Sequence, residues 1–216
     1  MMVEETRKAS SRAGRPSSKA STRERLIQVG TEVLSERGFS STGIDEILLR
    51  ARAPKGVFYY YFASKQEFGL AVIANYEQVW DQRLERIFSN PQASPLQRLR
   101  NYIEEGMHGM EKYSFKRGCL IGNLGQELGS LNDAFRQRIE LVFINWALCI
   151  KTCLDEAIAM GEVRDDLDTT EIARYFWTGW EGAILQCKLA RSVRPLEDFS
   201  RILFKYILGK GNANVQ

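Results

Sequence analysis

The sequence predicts an all-α protein of about nine helices, divided into a small amino-terminal head and a larger helical domain. Apolar residues recur at three- and four-residue spacings along the chain, and no segment shows the sustained alternation of a β-strand. Gly38, Pro91 and Gly161 interrupt this pattern at points where helices should end. The predicted boundaries are 1–20 for a flexible basic arm, 21–65 for the head and 66–216 for the larger domain.

The head contains three predicted helices. The first is marked by apolar residues that recur up to its end at Gly38, namely Leu26, Val29, Val33 and Leu34. The second covers Gly43–Ala51, where four apolar residues share one face, and Pro54 suits the first turn of the third. Two short helices joined by a tight turn are the plan of a helix-turn-helix, which binds DNA.

The third helix has an inner and an outer face. Phe58 and Phe62, four residues apart, point inward, which leaves Lys55, Gly56, Tyr59 and Tyr60 outside. An exposed glycine lets backbone approach base edges, and Lys and Tyr supply donors to phosphate oxygens. A run of three tyrosines covers more than one face, so some of them must face outward.

The helix that follows the head begins with a capping-box pattern, Ser64-Lys65-Gln66-Glu67. Free amides at a helix start favour anions, so Lys65 beside them predicts a phosphate clamp. The charge distribution agrees, because residues 1–65 carry 12 Lys and Arg against 7 Asp and Glu in a chain whose net charge is only +3.

The arm contains Gly14-Arg15-Pro16, which resembles the core of an AT-hook. An extended arm could place Arg15 in a narrow minor groove, where the negative potential is strongest. The alternative is a solvated basic tail that contacts DNA without specificity. Both interpretations remain open.

The larger domain should contain six helices, at about Ser64–Phe88, Leu96–Tyr113, a short one after Gly118, Asn132–Met160, Thr169–Arg191 and Leu196–Leu208. The last two are rich in large apolar side chains: Phe176, Trp177, Trp180, Phe199, Leu203 and Tyr206. We predict that these groups form a four-helix interface between two copies of the chain.

The short helix after Gly118 combines a cysteine with four glycines at 118, 122, 125 and 129, predicted to share one helical face. Each helical glycine costs about 1 kcal/mol relative to alanine, so close packing or motion should justify them. Cys119 follows Lys116 and Arg117 at the helix start, an environment that predicts a lowered thiol pKa. The alternative is that Cys119 is a small buried filler.

Four residues of the penultimate helix fall on one stripe: Trp177, Glu181, Ile184 and Lys188. This mixture of an indole, a carboxylate, an aliphatic group and an ammonium suits the wall of a pocket for a small polar or anionic compound. The alternative is a salt-linked surface face with Trp177 in the dimer interface.

The stretch Lys55-Gly56-Val57-Phe58-Tyr59-Tyr60-Tyr61-Phe62 resembles the DNA-binding signature of the TetR family of bacterial repressors. Tyr61 stands where that family often has histidine. The resemblance implies a homodimer, double-stranded operator DNA and a small-molecule inducer as partners. The residues expected to contact DNA are Arg15, Thr42, Gly43, Lys55, Gly56, Tyr59, Tyr60, Tyr61 and Lys65.

Two further stretches, GCLIGNLGQELG and QCKLARSVRPLE, resemble the acrylate-responsive regulators of that family. They are also similar to its electrophile- and bleach-sensing regulators, in which the matching cysteine is redox-active and a lysine of the penultimate helix can bond with it. Those positions are Cys119 and Lys188. The predicted sensor residues are therefore Cys119, Asn123, Trp177, Glu181 and Lys188, acting either on a carboxylate or only through covalent modification of Cys119.

Other classes of protein fit less well. Cysteines at 119, 149, 153 and 187 have neither metal-site nor disulfide-framework spacing, so we expect a reducing cytoplasm, no metal and no cofactor. No apolar run is long enough to span a bilayer. A thiol enzyme using Cys119 would need an activating base, and His108 is the only histidine. An architectural DNA binder without a ligand would leave the larger domain unexplained.

Overall fold

The computed structural model describes residues 18–209, with side chains from residue 22 onward. This part of the chain contains nine α-helices and no β-strand, which confirms the all-α prediction. The helices are α1 (Ser18–Arg37), α2 (Ile44–Ala51), α3 (Lys55–Tyr61), α4 (Lys65–Phe88), α5 (Pro95–Lys112), α6 (Leu120–Leu128), α7 (Asp133–Ala159), α8 (Thr169–Ala190) and α9 (Arg194–Ile202), which a π-helical turn extends over Leu203–Ile207.

Helices α1 to α3 form the head around a cluster of aromatic rings. Phe58 and Phe62 are buried as predicted, and their rings lie 5.1 to 5.5 Å from each other and from Phe68 of α4. Helix α1 begins at Ser18, three residues inside the predicted arm. The rest of that arm, including Arg15, lies outside the described residues.

The capping box at the start of α4 is formed. Ser64 Oγ accepts a hydrogen bond from the Glu67 amide at 3.1 Å, and Glu67 Oε2 accepts one from the Ala63 amide at 2.7 Å. Helix α4 then runs from the head into the larger domain, where it packs against α5, α6 and α7. Helix α4 therefore connects the two domains, and α6 and the contact between Phe39 and Phe135 of α7 also join them.

The large aromatic side chains of α8 lie inside the subunit, which corrects their predicted place at a dimer interface. Phe176, Trp177 and Trp180 are buried and form a ring cluster with Tyr102 of α5. The spacing i, i+1, i+4 places them together on the face of α8 that packs against the domain core. Tyr206, in contrast, is largely exposed. In the described region no helix is both long and apolar enough to cross a bilayer.

Candidate ligand cavity and DNA-binding surface

The outer face of α3 presents the side chains that the sequence assigned to DNA. Tyr59 and Tyr60 are 56% and 66% exposed. Gly56 is open, because a Cβ at this position would meet nothing within 4 Å. Lys55 Nζ lies 3.2 Å from Asp45 Oδ1, but both side chains are mostly exposed, so this pair holds Lys55 only weakly. The surface can therefore approach a nucleic acid closely.

Three other predicted contacts differ in accessibility. Gly43 caps α2 and is exposed, but Thr42 is fully buried and its hydroxyl donates to the Gly38 carbonyl at 2.7 Å. Thr42 supports the turn before α2, so its prediction as a DNA contact is corrected. Tyr61 is half-buried, with its ring 4.9 Å from that of Tyr60.

Lys65 points toward the turn between α1 and α2. Its ammonium donates to the Phe39 carbonyl at 2.6 Å and lies 4.4 Å from the centre of the Phe39 ring. Burial lowers the pKa of Lys65, and the nearby Glu127 carboxylate opposes that change. To contact a phosphate as predicted, the side chain would have to leave this carbonyl.

A cavity of about 260 Å³ lies between α1 of the head and α4, α5, α7 and α8 of the larger domain, and Gly118 and Cys119 at the start of α6 also line it. Seven of its lining residues are aromatic. The lining residues whose side chains carry a polar atom are Thr31, Ser35, Tyr76, Trp80, Arg83, Tyr102, Glu105, Tyr113, Arg117, Cys119, Trp146, Trp177 and Trp180. The groups from α4 and α5 were not predicted, because no local sequence pattern marks them.

Cys119 is the N-cap of α6 and lies in the cavity wall, with Sγ accepting from the Gly122 amide at 3.4 Å. Burial raises the pKa of this thiol well above its usual value, and the adjacent Glu181 carboxylate raises it further. The predicted lowering of its pKa is therefore wrong. The helix amides do favour a thiolate, but the guanidinium of Arg117 is bound to Glu36 at 2.8 Å.

Glu181 lies directly behind Cys119. One carboxylate oxygen, Oε2, occupies the space where a Cβ at Gly122 would overlap it, so a larger residue at position 122 would displace this carboxylate. The other oxygen, Oε1, is buried without a hydrogen-bond partner. Burial raises the pKa of Glu181 to about 7, and a hydrogen bond with Cys119 opposes the rise.

Trp177 provides a second unsatisfied polar atom. Its side chain is 5% exposed and lines both the cavity and a groove of about 560 Å³ between α7 and α8, which Glu181 also lines. The indole nitrogen of Trp177 is buried and has no partner, whereas that of the neighbouring Trp146 donates to Asp81 at 3.1 Å. A buried donor without an acceptor is costly, so Trp177 Nε1 is a candidate ligand contact.

Lys188 does not line the cavity, which corrects part of the predicted stripe. It lies in a surface groove with Lys116 and Arg191, and its aliphatic stem passes close to Gly118. The cations in the cavity wall are instead Arg83 and Arg117. Arg83 binds Glu105 at 2.9 Å, so it already has a carboxylate partner.

Helix α6 connects this cavity to the head. Glu127, near its carboxyl end, accepts hydrogen bonds from the amides of Phe39 at 2.7 Å and Ser40 at 2.5 Å. Gly38, with a φ of +81°, makes room for that carboxylate. Asn123, a predicted sensor residue, donates a hydrogen bond to the Ser35 carbonyl of α1 at 3.3 Å. It therefore contacts the head, and it is not among the residues that line the cavity.

The four glycines around α6 do not share one face. Gly118 and Gly122 face α8, Gly125 faces Ile139 of α7, and Gly129 ends the helix. The predicted close packing is present at the first two. Among the described residues, no three acidic, histidine or cysteine side chains are grouped in a way that could hold a metal ion.

The head and the larger domain each match a family of known proteins. The family described as "Bacterial regulatory proteins, tetR family" matches residues 26–72, and "Tetracyclin repressor-like, C-terminal domain" matches residues 95–203. The chain belongs to the TetR family of transcriptional regulators, which confirms the resemblance seen in α3. It is a regulator and not a thiol enzyme.

Individual relatives cover most of the chain. The transcriptional regulator AcuR of Cereibacter sphaeroides is 44% identical over 183 residues, which span 85% of this chain and 84% of that protein. A crystal structure of regulatory protein TetR from Rhodobacter sphaeroides aligns with a TM-score of 0.81 at 44% identity, over 83% of this chain and 95% of that one. Reduced Escherichia coli NemR aligns with a TM-score of 0.81 at 26% identity, over 89% and 99%.

Proposed function

We propose that this regulator is a homodimeric repressor that leaves a palindromic operator when a small acrylate-like carboxylate or a reactive electrophile enters the cavity. One observation carries the proposal: α6 begins in the cavity wall at Cys119 and binds the head through Glu127. A compound in the cavity therefore acts on the helix that holds the turn before α2. A shift of several kcal/mol between two arrangements suffices to empty an operator.

Operator binding is assigned to the exposed surface of α2 and α3. We assign Lys55 and Gly56 to base edges, and the hydroxyl groups of the exposed Tyr59 and Tyr60 to bases or phosphates. Lys65 is assigned to a phosphate that competes with the Phe39 carbonyl for its ammonium. The remaining proposed contacts are Arg15, Gly43 and Tyr61.

Dimerisation is assigned to the outer faces of α8, of α9 and of the π-helical turn that extends α9. Leu189 and Tyr206 are exposed there, together with Leu185 and Ile202. Large apolar side chains on one surface favour association. A two-fold dimer would place two copies of α3 on successive major-groove segments of a palindrome.

The size of the cavity favours a very small inducer. Its volume of about 260 Å³ is below the range of about 300–1,000 Å³ typical of drug-sized ligands. The Trp177 side chain lines the cavity and its buried indole N–H has no acceptor, so we assign it to a carboxylate or carbonyl oxygen of the inducer. The guanidinium of Arg83, which binds Glu105, lies in the same wall. A carboxylate of a few carbons, such as acrylate, matches this chemistry.

The covalent route uses the same cavity. An electrophile that enters would meet the Cys119 sulfur in the wall. With an oxidant such as hypochlorite in place of an alkylating agent, the thiol is first oxidised to a sulfenyl chloride, from which the Lys188 amine displaces chloride to form an S–N bond. The stem of Lys188 passes Gly118, the residue before Cys119, so this bond remains part of the alternative.

Release of labelled operator DNA, followed by fluorescence anisotropy, tests the proposal and separates the two routes. Cys119→Ser should abolish release by N-ethylmaleimide and spare release by acrylate, whereas Trp177→Phe should weaken the acrylate response. Cys149→Ser, which alters a half-buried thiol outside the cavity, is the matched control. Normal release of both variants by both compounds would place the sensor elsewhere.

A further inference from the structure

The Cys119 thiol is buried but lines a cavity, and the cations near it in sequence or in space are held elsewhere. Arg117 is bound to Glu36, and Lys188 lies in a surface groove. A neutral thiol is a poor nucleophile, because the thiolate is the reactive form. If this cysteine reacts with compounds in the cavity, a group in the structure must accept its proton.

Glu181 is placed to do so. Its carboxylate lies against Gly122, whose amide also binds Cys119 Sγ at 3.4 Å, so the two side chains converge on one turn of α6. Among the ion pairs of the described residues, none includes Glu181. Its Oε1 is buried and unpartnered, which leaves an acceptor free.

The second unpartnered atom, Nε1, belongs to Trp177, whose side chain lines the cavity that Cys119 also lines. Trp177 Nε1 can donate to a carbonyl oxygen of a bound compound. A hydrogen bond there would draw electrons from a conjugated double bond toward the oxygen and would stabilise the enolate that forms. A proton acceptor behind the thiol and a donor beside the bound compound are the two groups that addition of a thiol needs.

We propose that Glu181 is the general base for Cys119 and that Trp177 orients and polarises the electrophile, which is a small α,β-unsaturated carbonyl compound. The proton of the thiol moves to the Glu181 carboxylate while sulfur bonds to the β-carbon. The electrons of the carbon–carbon double bond pass to the carbonyl oxygen, which accepts from Trp177. Glu181 then returns the proton to the α-carbon, so the net reaction adds S–H across the double bond. This inference rests on the proposed function, whose covalent route it specifies.

Ionisation of Glu181 should then control the rate. Burial raises the pKa of Glu181 to about 7, so the basic form grows as pH rises through neutrality. The titratable and charged groups around it are the neutral phenols of Tyr76 and Tyr102, the Cys119 thiol, and the groove residues Glu140, Lys151 and Arg174. Burial raises the pKa of both phenols, so neither changes charge near neutral pH.

The experiment is the rate of alkylation of each cysteine by N-ethylmaleimide in the full-length protein, measured by peptide mass spectrometry between about pH 5.5 and pH 8.5. The rate at Cys119 should rise with an inflection near pH 7 in the wild type. Glu181→Gln should lower it about a hundredfold at neutral pH and remove the inflection. Trp177→Phe should lower the rate and keep the inflection. The rate at half-buried Cys149 should be unchanged in both variants.

A Glu181→Gln variant that reacts at Cys119 with the wild-type rate and pH profile would overturn the proposal. If Cys149 and Cys153 become reactive in that variant, its fold is disturbed, and Glu181→Asp replaces it. Glu181→Asp should react more slowly but keep an inflection, and a wild-type rate would again overturn the proposal. Operator binding by the alkylated wild type is measured separately: alkylated protein that still binds its operator would refute the proposed function and leave this chemistry intact.

Discussion

Replacing Glu127 with alanine should disconnect the cavity from the head. Its carboxylate accepts hydrogen bonds from the Phe39 and Ser40 amides at 2.7 and 2.5 Å, in the turn that leads into α2. A hydrogen bond to a charged group contributes about 1.5–3 kcal/mol. Because Ser40 is exposed to water, we expect the pair together to contribute about 1.5–3 kcal/mol to the coupling.

That free energy corresponds to about a 10- to 150-fold change in how strongly an inducer alters operator affinity. The assay is the ratio of operator dissociation constants with and without saturating inducer. In Glu127→Ala this ratio should fall by about tenfold or more. Glu127→Gln, which keeps the shape but loses the charge, should give an intermediate value.

Two controls make the result interpretable. Gln126→Ala changes the exposed neighbour of Glu127 on α6 and should leave the ratio unchanged. The alkylation rate of Cys119 should also be unchanged in Glu127→Ala, which would show that the cavity is intact. A ratio for Glu127→Ala within about twofold of the wild type would refute this route of coupling.

Three further outcomes are expected. Lys55→Ala should change which operator sequences are preferred, whereas Lys65→Ala should weaken all sequences alike and reduce the salt slope by about one; gel shifts at several salt concentrations measure both. Because the folded-state pKa of Glu181 is raised from 4.5 to about 7, its contribution to the free energy of unfolding is fully present below about pH 4.5 and is lost as pH rises through 7. Urea denaturation at about pH 5 and pH 8 should therefore show a smaller pH dependence in Glu181→Gln. Leu189→Glu should shift sedimentation toward the monomer without loss of helical circular dichroism.

The helix boundaries could be predicted because their signals are local. Ser64 and Glu67 form the capping box that their spacing indicates, and Gly38 ends α1 with a positive φ. The inward and outward faces of α3 were also predictable, since Phe58 and Phe62 needed only helical spacing to be placed.

The cavity could be predicted only in part, because it depends on how separate helices pack. Arg83, Tyr76 and Tyr102 come from α4 and α5, and no local pattern indicates that they face α8. Lys188 is 11 residues from Trp177, which is about 16 Å along a helix and too far for both to line a small cavity.

The pKa of Cys119 also could not be predicted from local sequence. Its neighbours in sequence, Lys116 and Arg117, favour a thiolate, but its neighbours in space are Glu181 and the apolar wall. Burial and the carboxylate outweigh the helix amides, and the adjacent Arg117 is occupied by Glu36. Sequence neighbours therefore gave the wrong direction of the pKa shift.

If occupation of the cavity releases the head from DNA, modification of Cys119 and loss of the operator should occur together. The most direct test follows two quantities in the same samples during reaction with N-ethylmaleimide: the fraction of subunits modified at Cys119 and the fraction of operator released. Release should follow modification at Cys119 and should be unaffected by modification at Cys149. Operator that stays bound while Cys119 is fully modified would contradict it.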